Sequence, residues 1–496
     1  MRVTIASRRS DLARIQAYQV GEALETAHPQ IEINYSFHES LGDRNQNDPL
    51  WQMPEKGVFT QDFREGLLRG DFDLVVHSWK DLAIEEDPDT EIAATLPRAD
   101  ARDVLLVREE GWSEVERNGV MTILTSSPRR SYNLESFLRD ALPAKLRELN
   151  FVNVRGNVPT RVRKLFDLEV DGLIVAKAAL DRLLEAKQAE FAATQSELRR
   201  FLSRCQWMVL PLRQNPSAPA QGALAIEIVR ARADMRELLV PLNCAETFAA
   251  VTREREILRG YGGGCHQKIG ASVLRRPYGE ITFVRGLTDD GQALDVCSLN
   301  ASRQRPPRIQ RENLWPLSAA DSDWFTRERI PASLPEETFA LWIVKGDAYD
   351  WSPIPRQIVW TSGMQTWKKL ARRGNWVNGC AESLGEQESP NLETLAGREL
   401  TWLKLTHADG YHEGTLPTLA TYRLVPTDSP VDLKGKNYFF WKSGSSFEYA
   451  LSLNPWIKSM THFCGPGNTQ RILEKNGIQP HVFLDHAQWL REMSNE

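Results

Sequence analysis

Val3-Thr4-Ile5-Ala6-Ser7-Arg8-Arg9-Ser10 opens the chain as a short apolar run, a polar turn and a helix cap. Val3 to Ala6 reads as a strand, and Ser10 can cap a helix in which Ala13, Ala17, Val20 and Leu24 recur at helical spacing until Pro29. Strand then helix is the first half of an α/β unit, and the same grammar repeats downstream. Ile31 to Phe37 alternates as a second strand, Asp62 to Leu68 is helical, and Phe72-Asp73-Leu74-Val75-Val76 is a buried-strand run ending at His77. Val120 to Leu124, Phe151 to Val154 and Gly172 to Ala176 continue the pattern. Such units predict mostly parallel sheets, with ligands held beyond the carboxyl ends of the strands.

The character changes after Glu227. Pro241 to Leu258 is strongly helical, and Ile281 to Leu287 with Ala293 to Leu299 forms a hairpin around Asp289-Asp290-Gly291, a small α+β unit. Ser302 to Pro307 is basic and proline-bearing, as a linker would be, and eleven of the fifteen tryptophans lie beyond residue 300. A separate module is therefore expected from about residue 308. Its strand-turn-helix units are Gln357 to Gly363, Tyr438 to Ser446 and His462 to Thr469.

The 496 residues suggest roughly three or four domains at about 150 residues each. With 41% apolar and 26% charged residues and a net charge of -5, the chain has no general attraction for nucleic acid or an acidic membrane, so any anion site must be built locally. Six scattered cysteines without a Cys-x-x-Cys pair suggest neither a disulfide framework nor a metal site. Arg8-Arg9 precedes no uninterrupted apolar stretch, and no window approaches a membrane span, so a cytoplasmic location is expected.

Four segments place arginine where a strand end or helix start aims it at a cleft: Ser7 to Ser10, Thr125-Ser126-Ser127-Pro128-Arg129-Arg130, Arg155-Gly156-Asn157-Val158-Pro159-Thr160-Arg161, and Arg182. Any one of them alone reads as solvated surface. Together, with arginine dominant and no Gly-x-x-x-x-Gly-Lys-Ser/Thr loop, they imply a ligand bearing many carboxylates. A fifth segment, His77-Ser78-Trp79-Lys80-Asp81-Leu82, sets one acid among these cations. A lysine-aspartate neighbour pair is commonly structural, yet in such a cleft Asp81 can donate a proton and stabilise a developing cation. His77, a lone histidine, reads as a hydrogen-bonded structural residue. Cys265, in Tyr261-Gly262-Gly263-Gly264-Cys265-His266-Gln267-Lys268-Ile269-Gly270, is a thiol on a glycine-dense loop with no local partner; taken alone it reads as a turn with an incidental cysteine, and beside the arginine clusters it suits a covalent anchor.

In their order, Ile5 to Ser10, Lys56-Gly57-Val58-Phe59, His77 to Asp81, Arg102-Asp103, Thr125 to Arg130, Arg155-Gly156-Asn157, Gln221-Gly222-Ala223-Leu224-Ala225-Ile226-Glu227 and Gly263-Gly264-Cys265 resemble the hydroxymethylbilane synthase (porphobilinogen deaminase) family. The resemblance covers roughly residues 1 to 300. It implies two lobes like type II periplasmic binding proteins and a small cysteine-bearing domain. Residues 1–98 with 214–238 would form the first lobe, 99–213 the second, and 239–305 the third domain. It also implies an enzyme that joins four porphobilinogen molecules with loss of ammonia, using a dipyrromethane cofactor held as a thioether at Cys265. Asp81 would be catalytic. Lys80, Ser78, Thr125, Ser127, Arg129, Arg130 and Arg155 would hold the cofactor, and Arg8, Ser10, Gln16, Arg161, Arg182 and Gln221 the substrate. A monomer is expected, without metal, nucleic acid or membrane partners. Trp79 stands where the family usually has methionine, Pro128 interrupts the Ser-to-Arg step, Ala220 replaces a usual glycine, and His266-Gln267-Lys268 replaces a stretch normally containing proline. None of these removes a catalytic group.

Residues 356–496 resemble a shortened uroporphyrinogen III synthase, with Ala420-Thr421-Tyr422-Arg423-Leu424 similar to the strand joining that family's two lobes. Thr361, Ser362, Ser443, Ser445 and Thr469 would be ligand contacts. Residues 306–355 are either linker or part of a lobe. The competing reading is a two-lobed anion receptor without chemistry, its C-terminal module structural only, since fold does not fix function.

Overall fold

The computed structural model describes residues 1–39, 61–263, 267–318, 320–335, 340–349, 357–410, 416–428 and 431–495. In chain order the first ten strands are β1 (Arg2–Arg8), β2 (Glu32–His38), β3 (Leu74–Ser78), β4 (Thr90–Ala94), β5 (Asp103–Arg108), β6 (Val120–Leu124), β7 (Glu148–Val152), β8 (Gly172–Ala176), β9 (Cys205–Leu210) and β10 (Leu224–Val229). They build two five-stranded sheets, ordered β2-β1-β3-β10-β4 and β7-β6-β8-β5-β9. The chain crosses between them twice, once from β4 to β5 and once, through Pro211 to Ala223, from β9 to β10. Two lobes joined by two crossovers result, a mixed α/β architecture.

The expectation of mostly parallel sheets holds for β1 with β2 and β3 and for β6 with β7 and β8. It fails at the strands by which the chain enters each lobe. β10 runs antiparallel to β3 and β4, and β5 runs antiparallel to β8 and β9. Single α/β units predict only the parallel step, so a strand arriving from the other lobe is invisible to that reading. β7 also begins earlier than the predicted Phe151, because pairing with β6 places Glu148 opposite Val120.

The opening motif behaves as its spacing dictates. Val3, Ile5 and Ala6 are buried, and the helix Asp11–Ala27 packs Ala17, Val20 and Leu24 against Val3 and Ile5, while its buried Ile15 joins the apolar cluster of the second lobe. The predicted helix from Pro241 is broken instead, a 3-10 turn at Val240–Leu242 preceding the helix Ala245–Gly260. That helix packs on an antiparallel sheet of β11 (Gly270–Arg276), β12 (Gly279–Leu287) and β13 (Ala293–Ala301). Its fully buried Glu254 binds Arg98 in bidentate fashion at 2.7 and 2.8 Å and accepts from the Ala220 and Val273 N–H groups, each at 2.8 Å. One carboxylate thus ties the small domain to both crossovers.

Beyond residue 308 come β14 (Ile309–Gln310), β15 (Leu314–Trp315), β16 (Phe325–Arg329), β17 (Ala340–Ile343), β18 (Val359–Thr361), β19 (Gly379–Cys380), β20 (Trp402–His407), β21 (Thr418–Pro426), β22 (Tyr438–Trp441), β23 (Thr461–Cys464), β24 (His481–Val482) and β25 (Ser494–Asn495). They form sheets ordered β16-β21-β20-β17-β18-β19 and β15-β22-β23-β24, with β14 paired to β25. A module boundary at residue 356 would cut the larger sheet, because β16 and β17 belong to it. Residues 306–355 therefore supply strands and are not merely a linker.

The C-terminal half shares its core with the second lobe. Leu105, Met121, Phe137 and Ile174 lie in one apolar cluster with Leu341, Trp367, Leu370 and Leu405. Trp367 Nε1 donates to Ala141 O at 2.9 Å, and Asn378 Nδ2 donates to Trp207 O at 2.8 Å. No helix among the described residues is long and apolar enough to cross a membrane.

Candidate active site

A cleft of about 430 Å³ opens between the two lobes. Arg8, Ser10, Gln16, Ser78, Lys80, Asp81, Arg130, Arg155, Arg161, Arg182 and Gln221 all line it. Eleven of the sequence-derived site residues, from separate segments, thereby converge. Strand ends and helix starts bring them there: β1 delivers Arg8, β3 delivers Ser78, and a 3-10 turn at Trp79–Asp81 presents Lys80 and Asp81. Ser10 precedes the helix Asp11–Ala27 without side-chain capping, so first-turn N–H groups add positive potential at this end.

On the second lobe Gly156 has φ +112, a conformation that suits glycine, and a Cβ there would lie 2.8 Å from Thr160 Cγ2. The turn lets Asn157 cap the helix Val158–Asp167 by accepting from Thr160 N at 3.0 Å, and Arg161 Nε donates to Gly156 O at 2.7 Å. Arg161 is brought down to about 10 by burial and by the like charges of Arg130 and Arg155, with Asp81 opposing. Arg182 is likewise lowered to about 10 by burial, and its Nη2 donates to Gly222 O at 2.8 Å. Burial also lowers Lys80, whose Nζ donates to Gln221 Oε1 at 3.3 Å. Asp81 itself is exposed in the cleft. Crowded cations around one acid make an anion-binding surface with an internal proton donor or counter-charge.

Beneath the cleft lies Asp103, 1% exposed, at the start of β5. It accepts from Arg130 Nε at 3.0 Å and Nη2 at 2.6 Å, Arg129 Nη2 at 2.8 Å, Asn215 Nδ2 at 2.9 Å and Gln221 Nε2 at 2.8 Å. Burial opposes its ionisation, but the two guanidinium groups hold its carboxyl far below the usual range. Sequence reasoning noted Arg102-Asp103 without giving Asp103 a role; its signal was an acid between arginine clusters. Glu227 is similar. Burial is outweighed by hydrogen bonds from His77 (2.9 Å) and Thr90 (2.6 Å) and by Arg64 (2.8 Å), which bring it to about 2.

Three expected ligand contacts do not line the cleft. Arg129 turns inward, its Nη1 donating to Asn215 Oδ1 at 2.8 Å and Pro216 O at 2.6 Å. Ser127 caps the helix Pro128–Ala141, and Thr125 is buried, its Oγ1 accepting from Ser127 N at 3.3 Å. These groups shape the turn that carries Arg130. Pro128 occupies the first helical position, where its missing N–H costs no bond.

Cys265 and Lys56 to Phe59 lie outside the described residues. The flanks of the cysteine loop are placed: Gln267 Nε2 donates to Tyr261 O at 2.7 Å, closing its base, and a Cβ on Gly263 would lie 3.2 Å from Ile84 Cδ1, three residues past Asp81.

Residues 3–237 match the family profile described as "Porphobilinogen deaminase, dipyromethane cofactor binding domain". Porphobilinogen deaminase of Clostridium novyi (strain NT) is 31% identical over 63% of this chain and 97% of that protein. The chain belongs to the porphobilinogen deaminase family. Porphobilinogen deaminase of Desulfitobacterium hafniense is 36% identical over 62% of this chain and 92% of that protein, and that of Bordetella parapertussis 32% over 67% and 98%. Among solved structures, a putative sulfonate-binding protein from Methylobacillus flagellatus KT aligns at TM-score 0.27 and 12% identity, over 52% of this chain and 69% of that one, too distant to bear on the fold. Of the departures from the deaminase pattern among the described residues, Ala220 has a conformational consequence. It sits at φ +67, fully buried, where glycine would be unstrained.

Proposed function

We propose that this chain joins four porphobilinogen molecules head to tail into linear hydroxymethylbilane, the deaminase step of tetrapyrrole biosynthesis. The observation that carries the reading is the convergence of Arg8, Lys80, Arg130, Arg155, Arg161 and Arg182 around the exposed carboxylate of Asp81. Each coupling forms one carbon–carbon bond to the free position of the terminal pyrrole. It breaks the bond from the aminomethyl carbon to nitrogen, releases ammonia, and returns a ring proton to solvent.

Asp81 is assigned the protonation of the departing amine and, once ionised, the stabilisation of the positively charged pyrrole left behind. The arginines hold the acetate and propionate side chains in bidentate pairs, and remain protonated as each added ring brings two more carboxylates. Lys80 and Arg161, lowered by burial among like charges, are suited to such anions. The residues therefore fit a dipyrromethane, with Cys265 as its thioether anchor and Arg130, Arg155, Lys80 and Ser78 as its carboxylate contacts. When bound, that group supplies the primer from which the chain grows.

A second activity, closure of the tetrapyrrole by a uroporphyrinogen III synthase-like module, is favoured by one pairing. β21, which contains Ala420 to Leu424, runs antiparallel to β16 at the edge of the larger, otherwise parallel sheet, and the chain enters that sheet through β16 and leaves it for β22 through β21. Thr361 ends β18 and Ser362 follows it, Ser443 and Ser445 follow β22, and Thr469 lies in the helix after β23. Ser445 Oγ lies 3.3 Å from His407 Nε2 on the other sheet. Incubation with porphobilinogen followed by oxidation tests both steps. Isomer III porphyrin is expected; isomer I alone would remove the closing activity, and unconsumed porphobilinogen would leave the anion receptor.

A further inference from the structure

The loop after β19, Ala381 to Glu388, touches the second crossover, the small domain and the turn at Gly467. Glu382 Oε1 accepts from the Arg213 N–H at 3.3 Å, with the Leu212 N–H facing the same carboxyl. Glu388 binds Arg276 of β11 in bidentate fashion at 2.5 and 2.6 Å. Gly385 and Gly467 meet backbone to backbone, since a Cβ on Gly385 would lie 2.8 Å from Gly467 Cα. Two non-glycine residues in succession, Glu382 at φ +52 and Ser383 at φ +65, hold left-handed conformations. Such conformations persist only where the surroundings fix them.

Leu212 and Arg213 begin the second crossover, and that segment supplies acceptors and donors to the cleft residues Lys80 and Arg182 and to Arg129 and Asp103 behind them. Asn215 and Pro216 hold Arg129, Gln221 bridges Lys80 and Asp103, and Gly222 O holds Arg182. We propose that Glu382 is a positioning residue for the deaminase reaction: from the C-terminal half it fixes the Pro211 to Ala223 crossover, and through it the cations of the cleft. The C-terminal half is then part of the deaminase machine and not a passenger beside it.

Burial pushes the Glu382 carboxyl up to about 7, with Arg102 opposing and Glu388 adding to the rise. Cys380 on its own strand and Cys297 on β13 also face it, and the side chain of Arg213 lies toward Asp485 and Cys297. The strength of its grip on the crossover therefore changes near neutral pH.

The test uses the full chain with Glu382→Gln and Glu382→Ala, comparing kcat and KM for porphobilinogen from pH 6 to 9 with thermal unfolding at each pH. kcat/KM is expected to fall about tenfold at pH 8 in both variants, because small displacements of positioned groups are costly. A limb of the wild-type pH profile near 7 is expected to vanish in Glu382→Gln, with the folded fraction at assay temperature unchanged. A Glu382→Gln profile superimposable on wild type would overturn the assignment. So would activity losses that only track unfolding; if Glu382→Ala does not fold, the isosteric Gln variant decides alone.

Discussion

Arg130 grips Asp103 through Nε at 3.0 Å and Nη2 at 2.6 Å, and the same carboxylate receives Arg129 at 2.8 Å. One buried acid thus serves two guanidinium groups while Gln221 and Asn215 complete its bonds. Asp103→Asn would leave two buried cations against a neutral amide. A loss of about 3–5 kcal/mol is expected, with lower kcat. Urea unfolding measures it, and a loss below about 1 kcal/mol, typical of an exposed pair, would contradict the role.

Arg161 stands among Arg130 and Arg155, which oppose its charge in the free protein. Arg161→Ala is therefore expected to leave the melting temperature unchanged or raised. The same variant should lower kcat/KM by about tenfold or more, the worth of a charge-assisted carboxylate bond. Parallel losses of stability and activity would mean that Arg161 is structural.

Gly222 has φ +88, and a Cβ there would lie 2.4 Å from Ala99 O. Gly222→Ala must displace one crossover from the other, and its carbonyl is the acceptor for Arg182. Destabilisation of about 1–3 kcal/mol with a raised KM is expected. Unaltered KM would separate Gly222 from substrate binding.

Glu227 is held at about 2 against an ordinary 4.5, so its contribution is present above pH 4.5 and is lost as pH falls through about 2. The difference corresponds to roughly 3 kcal/mol. Glu227→Gln should be less stable than wild type at pH 7, with the gap closing on acidification. An equal acid slope in the two proteins would assign the stability elsewhere.

The strand-helix units and the arginine turns were legible because each is local: an apolar run, a cap and a glycine at fixed offsets. Val3 to Ser10 and Arg155 to Arg161 needed no distant partner to be read. The inward turn of Arg129 is illegible for the converse reason. Two adjacent arginines at a helix start look equivalent, and only the crossover residues Asn215 and Pro216, 86 and 87 positions away, turn one inward. Asp103, Glu227 and the part-buried Glu382 escaped because an enclosed acid declares itself through partners that the chain brings from elsewhere. The antiparallel β5 and β10 likewise depend on the order in which lobes are visited.

The proposed function requires a polyacid primer anchored at Cys265 and held by the cleft arginines. Intact mass of the full chain tests this most directly: an adduct of two linked pyrrole units is expected on the wild type and absent from Cys265→Ala. An unmodified wild-type mass together with full turnover of porphobilinogen by Cys265→Ala would contradict it.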